Sequence, residues 1–145
     1  METQHKYSRH HEYKLRRSLK NRPERARSRR RILIIDDDRD LADSLAKLLQ
    51  ITGHEIQTGY DGQEAVAMAE SFRPEIVLLD IELPKRNGHD ACRQIRAQPW
   101  GREMTLIALT GRDGEEDRSR SKEAGFDHHM VKPLDYGVLA ALLAR

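Results

Sequence analysis

Five polar residues stand at the ends of otherwise apolar runs, and their types are complementary. Asp36 and Asp37 follow Ile32–Ile35, Asp80 follows Ile76–Leu79, Thr110 follows Leu106–Leu109, and Lys132 follows His129–Val131. Each has an ordinary reading on its own. An acid pair after a strand is commonly a helix cap or a solvated turn, Lys132-Pro133 alone is a turn, and Thr110-Gly111 is commonplace. Together they describe a chemistry. Three carboxylates on one rim repel one another unless some take up protons or a hard cation joins them. Carboxylate and carbonyl oxygens with water suit Mg²⁺, which favours a phosphate among its ligands. Lys132 offers a positive charge to phosphoryl oxygens, Thr110 a hydroxyl, and Gly111 a backbone N–H that can come close. A carboxylate can itself be the nucleophile toward phosphorus, and Asp80 is the candidate because it stands alone at the end of its run.

These residues meet only if the runs are parallel strands of one sheet, since ligands bind beyond the carboxyl ends of such strands. The pattern supports that. Continuous apolar runs at 32–35, 76–79 and 106–109 suit strands covered on both faces, and weaker runs lie at Glu55–Thr58 and His129–Val131. Between them fall helical segments at Asp40–Gln50, with Leu41, Leu45, Leu48 and Leu49 as its stripe, and at Gly62–Phe72, His89–Ala97, Glu115–Ala124 and Asp135–Ala144. Gly53, Gly125 and Arg73-Pro74 sit where helices should stop. Five strands alternating with five helices predict an α/β, doubly wound parallel sheet with helices on both faces.

The 145 residues fit one domain, and the charge is split along them. Residues 1–31 hold 12 Lys or Arg against 3 acids, while residues 32–145 hold 14 against 21. Residues 1–30 lack strong periodicity and read as a basic arm, disordered or loosely helical. The lone Cys92 excludes an internal disulfide and reads as a small buried side chain. Met68, Met104 and Met130 read as core filler, and Trp100 as a loop residue on the surface. No stretch approaches the ~20 apolar residues of a membrane span, and no apolar segment follows the basic N-terminus as in a signal peptide. The expectation is a soluble, cytoplasmic protein.

The motifs "ILIIDDD", "IVLLDIELPKRNG", "LIALTG" and "HHMVKP", in this order and spacing, resemble the receiver domain of bacterial two-component response regulators. The resemblance covers 31–145, and the wording around "GREMTLIALTG" and "EAGFDHHMVKP" is most similar to receivers of hybrid histidine kinases. It implies a CheY-like, flavodoxin-like (βα)5 fold with strand order 2-1-3-4-5. It implies that Asp80 accepts a phosphoryl group from a phosphohistidine. Asp36, Asp37, Asp80 and the backbone carbonyl of Glu82 would hold Mg²⁺, Lys132 and Thr110 would contact the phosphoryl oxygens, and Pro133 would follow a cis bond. Asp38 is then left to cap the next helix or lie in its first turn. The partners implied are a sensor histidine kinase or a histidine phosphotransfer protein upstream and a protein target downstream. Thr110 would swing inward on phosphorylation, and the outward signal would pass through the fourth helix, fifth strand and fifth helix. The position three before the lysine is usually Tyr or Phe in the family; here it is His129, either a reporter of burial and protonation or a solvent-facing side chain. The overall expectation is a stand-alone receiver in a phosphorelay, a signalling domain rather than an enzyme.

Two rivals remain at this level. A haloacid dehalogenase-like phosphatase also uses a nucleophilic Asp, Mg²⁺ and a Lys, but needs an Asp two residues after the nucleophile, where this chain has Glu82. Alternatively the basic arm grips nucleic acid through its Lys and Arg, although only Tyr7 and Tyr13 are there to stack. His128 and His129 with Asp127 make a poor metal site, because neighbours on a strand face opposite sides. Glu82, beside Asp80, is placed to influence hydrolysis of the phosphoryl group.

Overall fold

A computed structural model describes residues 29–144. The basic arm up to residue 28, with Tyr7 and Tyr13, lies outside the described residues. Five strands alternate with five helices: β1 Arg31–Ile35, α1 Arg39–Ile51, β2 Glu55–Gly59, α2 Gly62–Phe72, β3 Ile76–Asp80, α3 Gly88–Arg96, β4 Thr105–Thr110, α4 Glu115–Ala124, β5 His128–Val131 and α5 Tyr136–Leu143. All strands are parallel, in the order β2-β1-β3-β4-β5. This is the topology expected from the sequence, with β1 and β3 central and their ends side by side.

The two-residue period of the strands divides the core. Ile32 and Ile34 of β1, Ile76 and Leu78 of β3, and Ile107 and Leu109 of β4 face α1 and α5. Leu33, Ile35, Val77, Leu79, Leu106 and Ala108 face α2, α3 and the end of α4. Every residue of β3 is buried, which is why its run is unbroken by polar residues until Asp80. Helix α1 buries Ala42, Leu45, Ala46, Leu48 and Leu49, so the expected stripe holds except that Leu41, in its first turn, is only half-buried. Among the described residues no helix is long and apolar enough to cross a membrane.

Side-chain caps fix where the helices start. Asp38, Asp61, Asn87 and Asp135 each accept a hydrogen bond from a backbone N–H in the first turn of α1, α2, α3 and α5, satisfying donors that the helix itself leaves unpaired. Gly125 ends α4 in the left-handed region at φ 113°, a conformation with little penalty for glycine.

Three expectations need adjustment or gain detail. Trp100 is not on an irregular loop: it lies in a 3-10 turn, Pro99–Gly101, and packs half-buried against the second core cluster. Its ring has the Arg73 guanidinium 5.3 Å from its centroid. Cys92 is buried, and burial pushes its thiol pKa up to about 12, so it stays protonated and inert. Met104 and Met130 are core residues on opposite faces of the sheet, while Met68 is partly buried against the cluster that holds Met104.

Candidate functional site

The carboxyl ends of β1, β3, β4 and β5 converge on one rim. Asp36 and Asp80 are buried although both carry carboxylates, Asp37 is exposed, and Thr110 is fully buried. Carboxylate oxygens of Asp36, Asp37 and Asp80 lie within 4.8 Å of one another. Lys132 reaches across from β5: its Nζ donates to Asp36 Oδ2 at 2.6 Å and to Asp80 Oδ2 at 3.2 Å. The peptide joining it to Pro133 is cis, as expected. Thr110 lies beside these groups in the sheet. Its carbonyl accepts the Lys132 N–H at 2.8 Å, and Asp80 pairs with its neighbour Leu109.

The backbone orients the two buried acids. Glu82 N–H donates to Asp80 Oδ1 at 2.8 Å, and Asp38 N–H donates to Asp36 Oδ1 at 3.0 Å. Each carboxylate thus has one oxygen held by the chain two residues on, while Oδ2 faces Lys132. The third acid of the triplet is used differently: Asp38 Oδ1 caps α1 through Leu41 N–H at 3.1 Å. A cap on the next helix is one of the two places expected for Asp38. The Glu82 side chain is exposed, with Oε1 3.9 Å from where a Cβ on Gly111 would stand.

The electrostatics show a site with surplus negative charge. Burial pushes the Asp80 carboxyl up to about 7, helped by the Asp36 charge and opposed by the Glu82 N–H and by Lys132. Burial acts to lower the Lys132 pKa, yet its hydrogen bond to Asp36 and the charges of both acids outweigh that and raise it overall. The distances explain why both members rise. Lys132 is drawn chiefly to Asp36, so Asp80 receives too little of the ammonium's field to offset its desolvation. Oxygen ligands gathered this closely, with charge left uncompensated, fit a hard divalent cation.

Sequence reasoning overlooked the glycines that let loops close on this rim. A Cβ on Gly88 would stand 2.3 Å from the Asp80 carbonyl oxygen, and one on Gly62 would stand 1.8 Å from the Arg86 carbonyl oxygen. Gly88 therefore lets α3 begin directly against the Asp80 backbone. The signal was present in the chain as the Asn87-Gly88 pair. His129 is neither solvent-facing nor in the core: it is half-buried and bonded through both ring nitrogens, to Ser121 and to Arg112.

Comparison with known proteins places this geometry. Residues 32–144 match the family model described as response regulator receiver domain. The chain belongs to the response regulator receiver family. The receiver is 37% identical over 115 residues to the response regulator MprA of Mycobacterium avium (strain 104) and, equally, to that of Mycobacterium tuberculosis (strain ATCC 25177 / H37Ra). The match covers 79% of this chain and 48% of those proteins, so the chain spans about half the length of the curated relatives it matches. Among solved structures it is similar to the chemotaxis response regulator CheY4 of Vibrio cholerae, with TM-score 0.74, 26% identity, and 79% of this chain and 97% of the other covered. It is also similar to the receiver domain of sensor histidine kinase PA1611 from Pseudomonas aeruginosa PAO1, with TM-score 0.73, 32% identity and coverage of 80% and 95%. That structure has a magnesium ion coordinated in its active-site cleft. Membership across the whole described domain displaces the haloacid dehalogenase reading.

Proposed function

We propose that the receiver takes a phosphoryl group onto Asp80 from a phosphohistidine of a sensor kinase or phosphotransfer protein and passes the signal on as a change of conformation. One observation carries this reading: the buried carboxylate of Asp80, whose pKa burial raises, lies 3.2 Å from the Lys132 ammonium and within 4.8 Å of two further acids.

In the transfer an Asp80 carboxylate oxygen attacks phosphorus. The O–P bond forms as the P–N bond of phosphohistidine breaks, and the departing imidazole nitrogen keeps the electron pair and takes up a proton. The chain's own part is positioning and charge. Glu82 N–H holds Asp80 Oδ1, which fixes the plane of the nucleophile. The Lys132 ammonium, already between Asp36 and Asp80, follows the negative charge onto the phosphoryl oxygens. The Thr110 hydroxyl donates to another of them. Asp36, Asp37, Asp80 and the Glu82 carbonyl would hold Mg²⁺, which when bound supplies positive charge to the carboxylates and the transferring group. The aspartyl phosphate adds roughly −1.5 to −2 of charge and strong acceptor oxygens at the rim, and this biases a two-state element elsewhere in the domain.

Incubation with phosphorylated sensor kinases in the presence of Mg²⁺, followed by tracking of the label, tests the reading. Label should pass to the wild-type receiver and not to Asp80→Asn. Equal labelling of the variant would refute it.

A further inference from the structure

The pole of the sheet opposite Asp80 carries its own cluster of cations around the chain's one tryptophan. Strands β1, β3 and β4 begin there, at Arg31, Ile76 and Thr105, and the length of β3 separates that pole from the Asp80 rim. A cavity of about 460 Å³ opens among Arg30, Arg31, Arg73, Glu75, Trp100 and Glu103. Its cations are held in place. Arg31 donates from Nε and a terminal nitrogen to the Arg73 carbonyl at 3.1 and 2.6 Å. Arg73 ends α2 in the left-handed region at φ 52°, its Nε donates to the Glu70 carbonyl at 2.5 Å, and its guanidinium carbon stands 5.3 Å from the centroid of the Trp100 ring. A guanidinium has five N–H groups, and these bonds use two on Arg31 and one on Arg73. Charge outside the cavity has the same sign. Residues 1–28 hold nine Lys or Arg against three acids, and they join the domain beside Arg30 and Arg31, which line the cavity. Basic residues alone grip the charge of any polyanion. Nucleic acid needs in addition a flat surface on which a base can stack, and Trp100 with Arg73 supplies one.

We propose that this pole binds single-stranded nucleic acid. A base stacks on the platform of Arg73 and Trp100, since guanidinium planes and aromatic rings both accept bases. Arg30 and Arg31 contact the flanking phosphates, and the basic residues before Arg29 add attraction of the right sign. The two carboxylates of the lining, Glu75 and Glu103, are out of place in a site for phosphate alone, but they are acceptors for the N–H groups on base edges. Single strands are favoured over duplex because a paired base has its faces covered by its neighbours. An anionic membrane or an acidic protein brings charge without a base and leaves the platform unused. The proposal is independent of the role of Asp80.

Trp100 is the only tryptophan of the chain, so its fluorescence reports on the platform directly. The full-length chain is titrated at low salt with a short single-stranded DNA of mixed sequence, with the matching duplex, and with heparin, a polyanion that has no bases. Binding is followed by anisotropy of fluorescein-labelled probes, and quenching of Trp100 with unlabelled ones. The single strand should quench Trp100 over the concentrations at which it binds, while heparin should bind without quenching and the duplex should quench little. Trp100→Leu, which keeps an apolar side chain against the core, should weaken single-strand binding roughly tenfold and leave heparin binding unchanged. Arg73→Asn, suited to the left-handed backbone at that position, should weaken single-strand binding by a similar factor and stands in if the Trp100 variant does not fold. Single strand bound without quenching, or bound by the variants as tightly as by wild type, would overturn the site and leave only a basic segment gripping charge. Equal quenching by heparin, or no binding of the single strand at low salt, would overturn it too.

Discussion

Replacing Asp80 by Asn should stabilise the metal-free receiver, although it removes the residue at the centre of the site. Burial raises the Asp80 pKa to about 7 from an ordinary 3.8. A carboxyl with a raised folded pKa carries no penalty below its unfolded value; the penalty grows as pH rises from there and levels off above the folded value. At about 1.4 kcal/mol per pKa unit, the ionised carboxylate costs the fold roughly 4 kcal/mol at pH 8. Asparagine keeps an oxygen for the Glu82 N–H but turns amide hydrogens toward the Lys132 ammonium, which takes back part of the gain. The net expectation is about 2 kcal/mol, or a Tm rise of about 6–10 °C for a domain of this size. Urea and thermal unfolding at pH 8 in EDTA measure it. At pH 5 the difference should shrink to less than half, because the wild-type carboxyl is then protonated in the fold. Excess Mg²⁺ at pH 8 should stabilise wild type far more than the variant. A variant no more stable than wild type in EDTA at pH 8 would refute the claim that Asp80 is held under electrostatic stress.

Other perturbations read other parts of the fold. His54 is buried, and burial first, then the Arg30 charge, lowers its pKa against a smaller opposing effect of Glu75; Nδ1 accepts the Arg30 N–H at 3.1 Å. The unfolded chain therefore binds the proton more readily, and stability should be lost as pH falls through about 6.5. In an Asp80→Asn background, where the opposite slope of Asp80 is absent, His54→Gln should flatten urea-midpoint curves between pH 7.5 and 5. Arg96 donates to the carbonyls of Gly101, Arg102, Met104 and Gly125 and to Asp127 Oδ2. Arg96→Lys cannot reproduce that fork and should lower stability by about 2–3 kcal/mol in denaturant titrations. Asp38→Ala removes the α1 cap and should cost about 1 kcal/mol while leaving phosphoryl uptake at Asp80 in place by intact-mass measurement.

What could be read from the chain follows from where each signal is stored. Strands β1, β3 and β4 were legible because burial on both faces demands unbroken apolar runs, and the rim residues because they interrupt those runs at the same end. Asp38 was set apart from Asp36 and Asp37 only through likeness to the receiver family, which left it over for a cap or a place in the first turn of the next helix. Helix α4 was expected as an amphipathic segment ending at Gly125, but only Ser121 and Ala124 of Glu115–Ala124 are buried, so it carries no apolar stripe. The role of Arg96 was not legible. Four of its five acceptors are backbone carbonyls, which no sequence position announces, and they lie on the segments between α3 and β4 and between α4 and β5, which only the fold brings together. For the same reason His129 stayed open between burial and solvent: its partners, Ser121 and the Arg112 carbonyl, reach it only once α4 has folded back on β5. The strand order rested on likeness to the receiver family rather than on the runs themselves.

On the proposed reading, a single carboxylate of this domain, Asp80, carries the phosphoryl group. Treatment with acetyl phosphate and Mg²⁺, borohydride reduction and peptide mapping test it most directly. One added phosphoryl group per chain and conversion of residue 80 alone to homoserine are expected, with neither change in Asp80→Asn. Homoserine at residue 36 or 37, or none at residue 80 in protein shown to be folded and Mg²⁺-bound, would contradict it.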